Sequence, residues 1–343
     1  MHKKIPLKDA VGTVLAHDIT EIRPGEFKGA AFKKGHMVCD EDICRLQRLG
    51  KNHLYELEIK EGDIHEDQAA VILAEALAGD GIVYDEQPHE GKIKLLAGRD
   101  GLLFVDTTAL IAFNMVDEVM CATRHTHSLV KKGDQVAATR AIPLVMTRAA
   151  IERAAAIARQ NGATISVKPL RHLKAGLVIT GNEVSTGLIE DRYEVILTQK
   201  IHALGSDVIA SALAPDNVEI IADVIQDHIK AGCELILTSG GMSVDPDDVT
   251  RAGIRKAGSD EIYYGAAALP GAMFLVAYIG NVPVLGMPAC GLHHRITVLD
   301  LILPRILAGE KIGKMQLAAL GHGGLCHDCD TCTYPHCPFG KGV

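Results

Sequence analysis

At 343 residues with a formal charge of −8, from 35 Lys plus Arg against 43 Asp plus Glu, the chain has room for two or three domains. It lacks the broad positive field that drives nucleic-acid binding, and with aromatics at 4% and no Trp it offers no base-stacking platforms. No run approaches the ~18 apolar residues of a membrane span, and the basic start is broken by Lys8 and Asp9 before an apolar signal core forms, so a cytoplasmic protein without nucleic-acid or membrane partners is expected.

Residues 1–60 read as a mixed α/β module. Gly12-Thr13-Val14-Leu15 is strand-like, and Asp40 is placed to cap a helix carrying Ile43, Leu46 and Leu49 that stops near Gly50. The Gly- and Lys-rich stretch 25–35 reads as an exposed loop. Residues 61–146 read as a β-rich module: an Ala-rich helix over 66–77 is followed by Gly81, Gly91 and Gly98, which punctuate runs such as Ile93-Lys94-Leu95-Leu96 and Leu102-Leu103-Phe104-Val105. His125 and His127, two apart on an expected strand, would share one face. Residues 147–172 form a connecting helix and strand, the helix carrying Ala150, Ile151, Ala154, Ala155 and Ala158 and stopping at Asn161-Gly162.

From 173 to 312 strands and helices alternate. Leu177-Val178-Ile179, Val208-Ile209, Leu235-Ile236-Leu237 and residues 282–285 read as buried strands. Asp191 with Glu194 makes a capping-box pattern for a helix ending at Gly205. Val218, Ile221, Ile225 and Ile229 lie on one face of the next helix, a third follows Pro246, and an apolar helix over 296–307 closes the unit. This predicts an α/β fold, a parallel sheet between helical layers, preceded by smaller β-rich modules.

In such a sheet the loops leaving the carboxyl ends of the strands line one crevice. Here they read Thr180-Gly181-Asn182-Glu183, Ala214-Pro215-Asp216-Asn217, Ser239-Gly240-Gly241-Met242-Ser243 and Gly286-Met287-Pro288-Ala289-Cys290-Gly291. Glycine lets backbone approach a ligand closely, so Ser239-Gly240-Gly241 suits a phosphate or an oxyanion. Glu183, Asp216 and Asp248 all follow strand ends, and oxygen ligation of this kind suits Mg²⁺. His293-His294 is expected to begin the last helix near the crevice.

On these loops the span 176–308 resembles the molybdopterin-binding, MoaB/Mog-like domain of molybdenum-cofactor biosynthesis proteins. Its position late in the chain is similar to the molybdopterin molybdotransferase type, as is the opening Pro6-Leu7-Lys8-Asp9-Ala10-Val11-Gly12. The resemblance assigns pterin contacts to Thr180, Gly181, Asn182, Ser239, Gly240, Gly241, Ser243, Pro270, Gly271 and Pro288, and catalysis to Glu183, Asp216 and Asp248. It implies Mg²⁺-assisted insertion of molybdate into adenylylated molybdopterin with release of AMP, in a homodimer whose crevice a second subunit completes. The departures are as informative. Asn182 replaces an acidic residue, Leu269 stands where a lysine precedes Pro-Gly, Ala289-Cys290-Gly291 replaces Gly-Asn-Pro, and no N-terminal acidic motif stands between 21 and 40. A non-catalytic cofactor carrier or insertion chaperone for a molybdoenzyme or its maturation partner is therefore the alternative. Asp247-Asp248-Val249-Thr250 also resembles the DD-x-T element of CinA-like nucleotide hydrolases, a further alternative.

Residues 313–343 form a cysteine-rich tail with Cys326-x2-Cys329-x2-Cys332-x4-Cys337. Four thiols this closely spaced match short-loop zinc sites and approach the clustered run of iron–sulfur proteins, so Zn²⁺ or [4Fe–4S] is expected there.

Overall fold

The computed structural model describes residues 3–56, 60–185, 191–241 and 249–342, the side chains of Lys3, Glu56, Glu183 and Val184 apart. The chain divides into two units, one comprising 1–98, 105–124 and 132–166, the other 99–104, 125–131 and 167–343.

In the first unit, Glu66–Leu77 is helical as expected, packing Ala70 and Ala74 on Ile93 of the strand Lys92–Ala97. Arg148–Arg159 is the connecting helix, and Thr147 caps it by accepting from the Ala150 amide at 3.4 Å. Three readings need correction. The stretch 25–35 is not a loop, because Phe27–Phe32 pairs antiparallel with Ile19–Arg23. Gly12-Thr13-Val14-Leu15 turns rather than extends: Gly12 has φ 84, the Thr13 hydroxyl bonds back to the Ala10 carbonyl at 2.6 Å, and only Val14 makes an isolated bridge, to Met37. Cys39, not Asp40, caps Asp40–Arg48, since Asp42 reaches back to the Cys39 amide at 3.0 Å.

The second unit is built on a six-stranded sheet. Its strands are β1 (Lys174–Thr180), β2 (Asp207–Ala214), β3 (Leu235–Ser239), β4 (Glu261–Tyr264), β5 (Leu275–Ile279) and β6 (Val282–Met287), in the order β2-β1-β3-β6-β5-β4. The first four in that order run parallel, β5 is reversed, and β4, antiparallel to β5, runs with the first four again. The helices are α1 (Asn182–Ser185), α2 (Tyr193–Ala203), α3 (Val218–Lys230), α4 (Thr250–Lys256), α5 (Val298–Leu307) and α6 (Lys314–Ala319). Alternate residues of β1 serve the two faces: Ala175, Leu177 and Ile179 pack with Leu197 and Ile201 of α2 and Ile302 of α5, while Val178 packs with Ile221 and Ile225 of α3. The sheet is thus buried on both sides, as parallel sheets require.

Asp191 starts α2 as its spacing predicts, accepting from the amides of Tyr193 at 2.8 Å and Glu194 at 3.1 Å. The last helix begins at Val298, because Thr297 caps it and Asp300 returns to the Thr297 amide at 2.7 Å. His293-His294 therefore precedes the helix, following the short turn Ala289–Leu292. His125 and His127 are not on a strand either. They lie in the turn before Leu129–Val130, with His127 at φ 60 and its ring edge-on to Phe104 at 5.3 Å.

Candidate functional site

Strand register brings the predicted loops to one edge of the sheet. Ile179 pairs with Ser239 and Ser239 with Met287, while Thr180 pairs with Ala214, so four chain segments leave the sheet side by side. At about 4.8 Å between neighbouring strands, the rim they form is compact enough for one ligand.

Cross-loop polar contacts then hold these segments together. The Asn182 amide donates to Asp216 Oδ2 at 3.0 Å, and the Asp216 amide donates to Asn182 Oδ1 at 3.1 Å, so the first two loops are clasped reciprocally. Thr180 is buried, and its hydroxyl donates to the Ser239 carbonyl at 2.6 Å. With that proton committed, the Thr250 hydroxyl, 3.0 Å away, donates to Thr180 Oγ1. The first loop is thereby fixed to the third and to the start of α4.

Gly240 and Gly241 have a structural reason within this clasp. Both are at positive φ, 78 and 55, and a Cβ on Gly240 would lie 2.5 Å from the Thr180 carbonyl oxygen, one on Gly241 2.3 Å from Thr250 Oγ1. The pair is glycine because three segments meet there. Ser239 Oγ is buried at this rim, and among the described residues it has no hydrogen-bond partner. An orphaned hydroxyl at the mouth of a strand is a polar group with bonding capacity to spare.

On the far side of the rim, Pro270-Gly271 folds against the first turn of α5, the Val298 amide donating to the Pro270 carbonyl at 3.3 Å. A Cβ on Gly271, at φ 113, would meet Val298 at 2.9 Å. Pro288 leads into the turn Ala289–Leu292. Burial pushes the Cys290 thiol up, and the amides of Cys290 and Gly271 pull it the other way, which sets this thiol beside the Pro-Gly turn.

The structure accordingly brings Thr180, Gly181, Asn182, Asp216, Ser239, Gly240 and Gly241 to one edge, with the backbone of Glu183 in α1 directly after them. The Glu183 side chain, Ser243 and Asp248 lie outside the described residues. Sequence reading missed the part played by Thr250, although its place in Asp247-Asp248-Val249-Thr250 marked it. Among the described residues no group of three or more His, Cys, Asp or Glu side chains is set to hold a metal ion. Cys326 and Cys337 lean on the apolar core while Cys329 and Cys332 stand exposed, so the four sulfurs face different surroundings.

Comparison with known proteins matches two separate stretches of the chain. Residues 176–308 match the family model described as a probable molybdopterin binding domain, and residues 4–58 match a domain of unknown function (DUF8806). The molybdopterin molybdenumtransferase of Haemophilus influenzae is 25% identical over 307 residues, 80% of this chain and 71% of that protein. A CinA-like protein of Thermosipho melanesiensis is 31% identical over 91 residues, 26% of this chain and 22% of its own. Among solved structures, the molybdopterin biosynthesis MoeA protein of Pyrococcus horikosii covers 90% of this chain and 75% of that one at 16% identity and TM-score 0.35. Residues 176–308 are thus similar to a probable molybdopterin binding domain, and the relatives carry two names, molybdopterin molybdenumtransferase and CinA-like protein. Among the described residues no helix is long and apolar enough to cross a membrane.

Proposed function

We propose that the rim binds adenylylated molybdopterin and that the protein inserts molybdate into it, releasing AMP. The observation that supports this reading is the clasp of the first three rim loops at one sheet edge, which preorganises backbone amides and the Asp216 carboxylate before any ligand arrives. The pterin phosphates would meet the amides of the loop at Gly240-Gly241 and the spare hydroxyl of Ser239, with Pro270, Gly271 and Pro288 shaping the opposite wall. The described donors here are Asp216, Asn182 and Ser239, oxygen groups that fit a hard cation such as Mg²⁺. Glu183, Asp216 and Asp248 would hold it, and bound there it would neutralise and orient phosphate charge. In the expected homodimer a second copy would close the open side.

Turnover is tested by incubating the full chain with adenylylated molybdopterin, Mg²⁺ and molybdate and following AMP. We expect release that Glu183→Ala and Asp248→Ala each abolish with the fold retained. Tight pterin binding without AMP would replace the enzyme by a carrier that delivers cofactor to a molybdoenzyme. Hydrolysis of a nucleotide pyrophosphate with no pterin present would replace both by the CinA-like chemistry.

A further inference from the structure

The cysteine loop is anchored at its base. The Cys326 amide donates to the Leu269 carbonyl at 2.8 Å, the Leu269 amide to the Gly324 carbonyl at 2.8 Å, and the Gly340 amide to the Gly323 carbonyl at 2.9 Å. Phe339, 2% exposed, is buried in the core that also receives Cys326, Tyr334 and Cys337. Burial is deep enough at this base to push the Tyr334 hydroxyl up to about 12. Between the anchors residues 327–333 are exposed, and Asp328 holds a left-handed φ of 50 that its side chain disfavours less than most.

This loop and the segment following the last rim loop enclose a cavity of about 270 Å³. Its walls carry all four thiols, Cys326, Cys329, Cys332 and Cys337, together with the imidazoles of His293 and His294. The two histidines come from a part of the chain more than thirty residues earlier, and His294 Nδ1 stands 4.0 Å from Asp328 Oδ1. Packing does not account for this gathering: Cys329 and Cys332 are exposed, where a thiol offers the fold nothing that serine would not. The donors surround the cavity without yet converging on one point. An anchored loop with an unpacked middle is able to make that convergence when an ion supplies the energy.

We propose that this cavity is a zinc site that closes on its metal, with Cys326, Cys329, Cys332 and Cys337 as the four ligands. Cys326-x2-Cys329 and Cys332-x4-Cys337 form two chelating halves whose spacing falls within that of short-loop tetrahedral zinc sites, whereas the last gap is one residue too long for the bacterial ferredoxin run. Each thiol gives its proton to solvent as it binds. Arg295 on the facing wall offsets part of the resulting negative charge, to which Asp328 and Asp330 also contribute. The site stands independently of pterin binding, and either can fail alone.

The test is titration of the reduced, chelator-stripped full chain with Zn²⁺ and with Co²⁺. One equivalent per chain is expected, with thiolate-to-cobalt charge-transfer bands and tetrahedral d–d bands. Zinc should also shield the four tail cysteines from alkylation while Cys39 and Cys44, both exposed, stay reactive. The double variant C329S/C332S should lose stoichiometric binding, and C39S/C44S should keep it. The alkylation pattern of the wild type decides the matter even if the double variant fails to fold. Absence of stoichiometric zinc, binding unchanged in C329S/C332S, or iron and sulfide on these thiols after anaerobic purification would overturn the proposal.

Discussion

The loop rim and the cysteine loop belong to the same unit, yet they are held in opposite ways. At the rim, parallel strands deliver the loops in register, and buried contacts among Thr180, Ser239 and Thr250 with the exposed Asn182–Asp216 clasp hold them before a ligand is present. In the cysteine loop only the base is fixed, and Cys329 and Cys332 stand exposed. On the two proposals above, the rim is a preorganised site and the cysteine loop a site that its ion would finish. The difference teaches where stability and ligand binding separate: substitutions at the rim cost fold stability directly, whereas those in the loop cost it only with metal bound.

Gly240→Ala probes this contrast most severely, because it combines a positive φ with a methyl 2.5 Å from the Thr180 carbonyl oxygen. A loss of about 3 kcal/mol is expected from strain and overpacking together. Urea unfolding measures it, and a loss under about 1 kcal/mol would mean the rim yields easily and is not preorganised. Thr180→Val keeps the volume but leaves the Ser239 carbonyl and the Thr250 hydroxyl without their partner, for an expected cost of about 2 kcal/mol. The same denaturation series reports it.

A pH scan sharpens the comparison on the tail side. His127 lines a second cavity of about 210 Å³ with Arg305, Tyr334 and Phe339. Burial, then the Arg305 guanidinium, holds its imidazole down at about 4 against the pull of Glu310, with Lys168 adding to the depression. The unfolded chain therefore takes up this proton first. The neutral ring's contribution is fully present above 6.5, the ordinary value, and is lost as pH falls from there toward about 4. His127→Gln should flatten the fall in melting temperature over that window. An unchanged slope would show that other groups carry the acid sensitivity. The smallest effect is expected from C329S/C332S without zinc, below about 0.5 kcal/mol, rising to a clear loss relative to wild type only when zinc is added. A large loss in the metal-free protein would erase the distinction between the two regions.

How legible was this in the sequence? The helix Glu66–Leu77 and the alternation after residue 173 were read correctly because apolar spacing and glycine stops are local signals. Strands β4 and β5 were missed although β5 and β6 flank Gly280-Asn281, a recognised two-residue hairpin turn, with Ile279 paired to Val282 and Gly280 at φ 58. Phe27–Phe32 was missed for a related reason: its glycine and lysine mimic a loop, and only its pairing with Ile19–Arg23 makes it a strand. His125 and His127 looked like neighbours on one face because alternation was assumed where the chain turns.

The convergence of the first three rim loops was contained in the chain itself, since strand–helix alternation through β1, β2 and β3 leaves the carboxyl ends of parallel strands no choice but one edge. Spacing likewise announced the four tail thiols. Only tertiary structure decided that Gly240-Gly241 is required by Thr180 and Thr250, and that His293 and His294 face those thiols across a cavity. Such meetings depend on non-local packing between segments tens of residues apart, and no local pattern encodes which of them will touch.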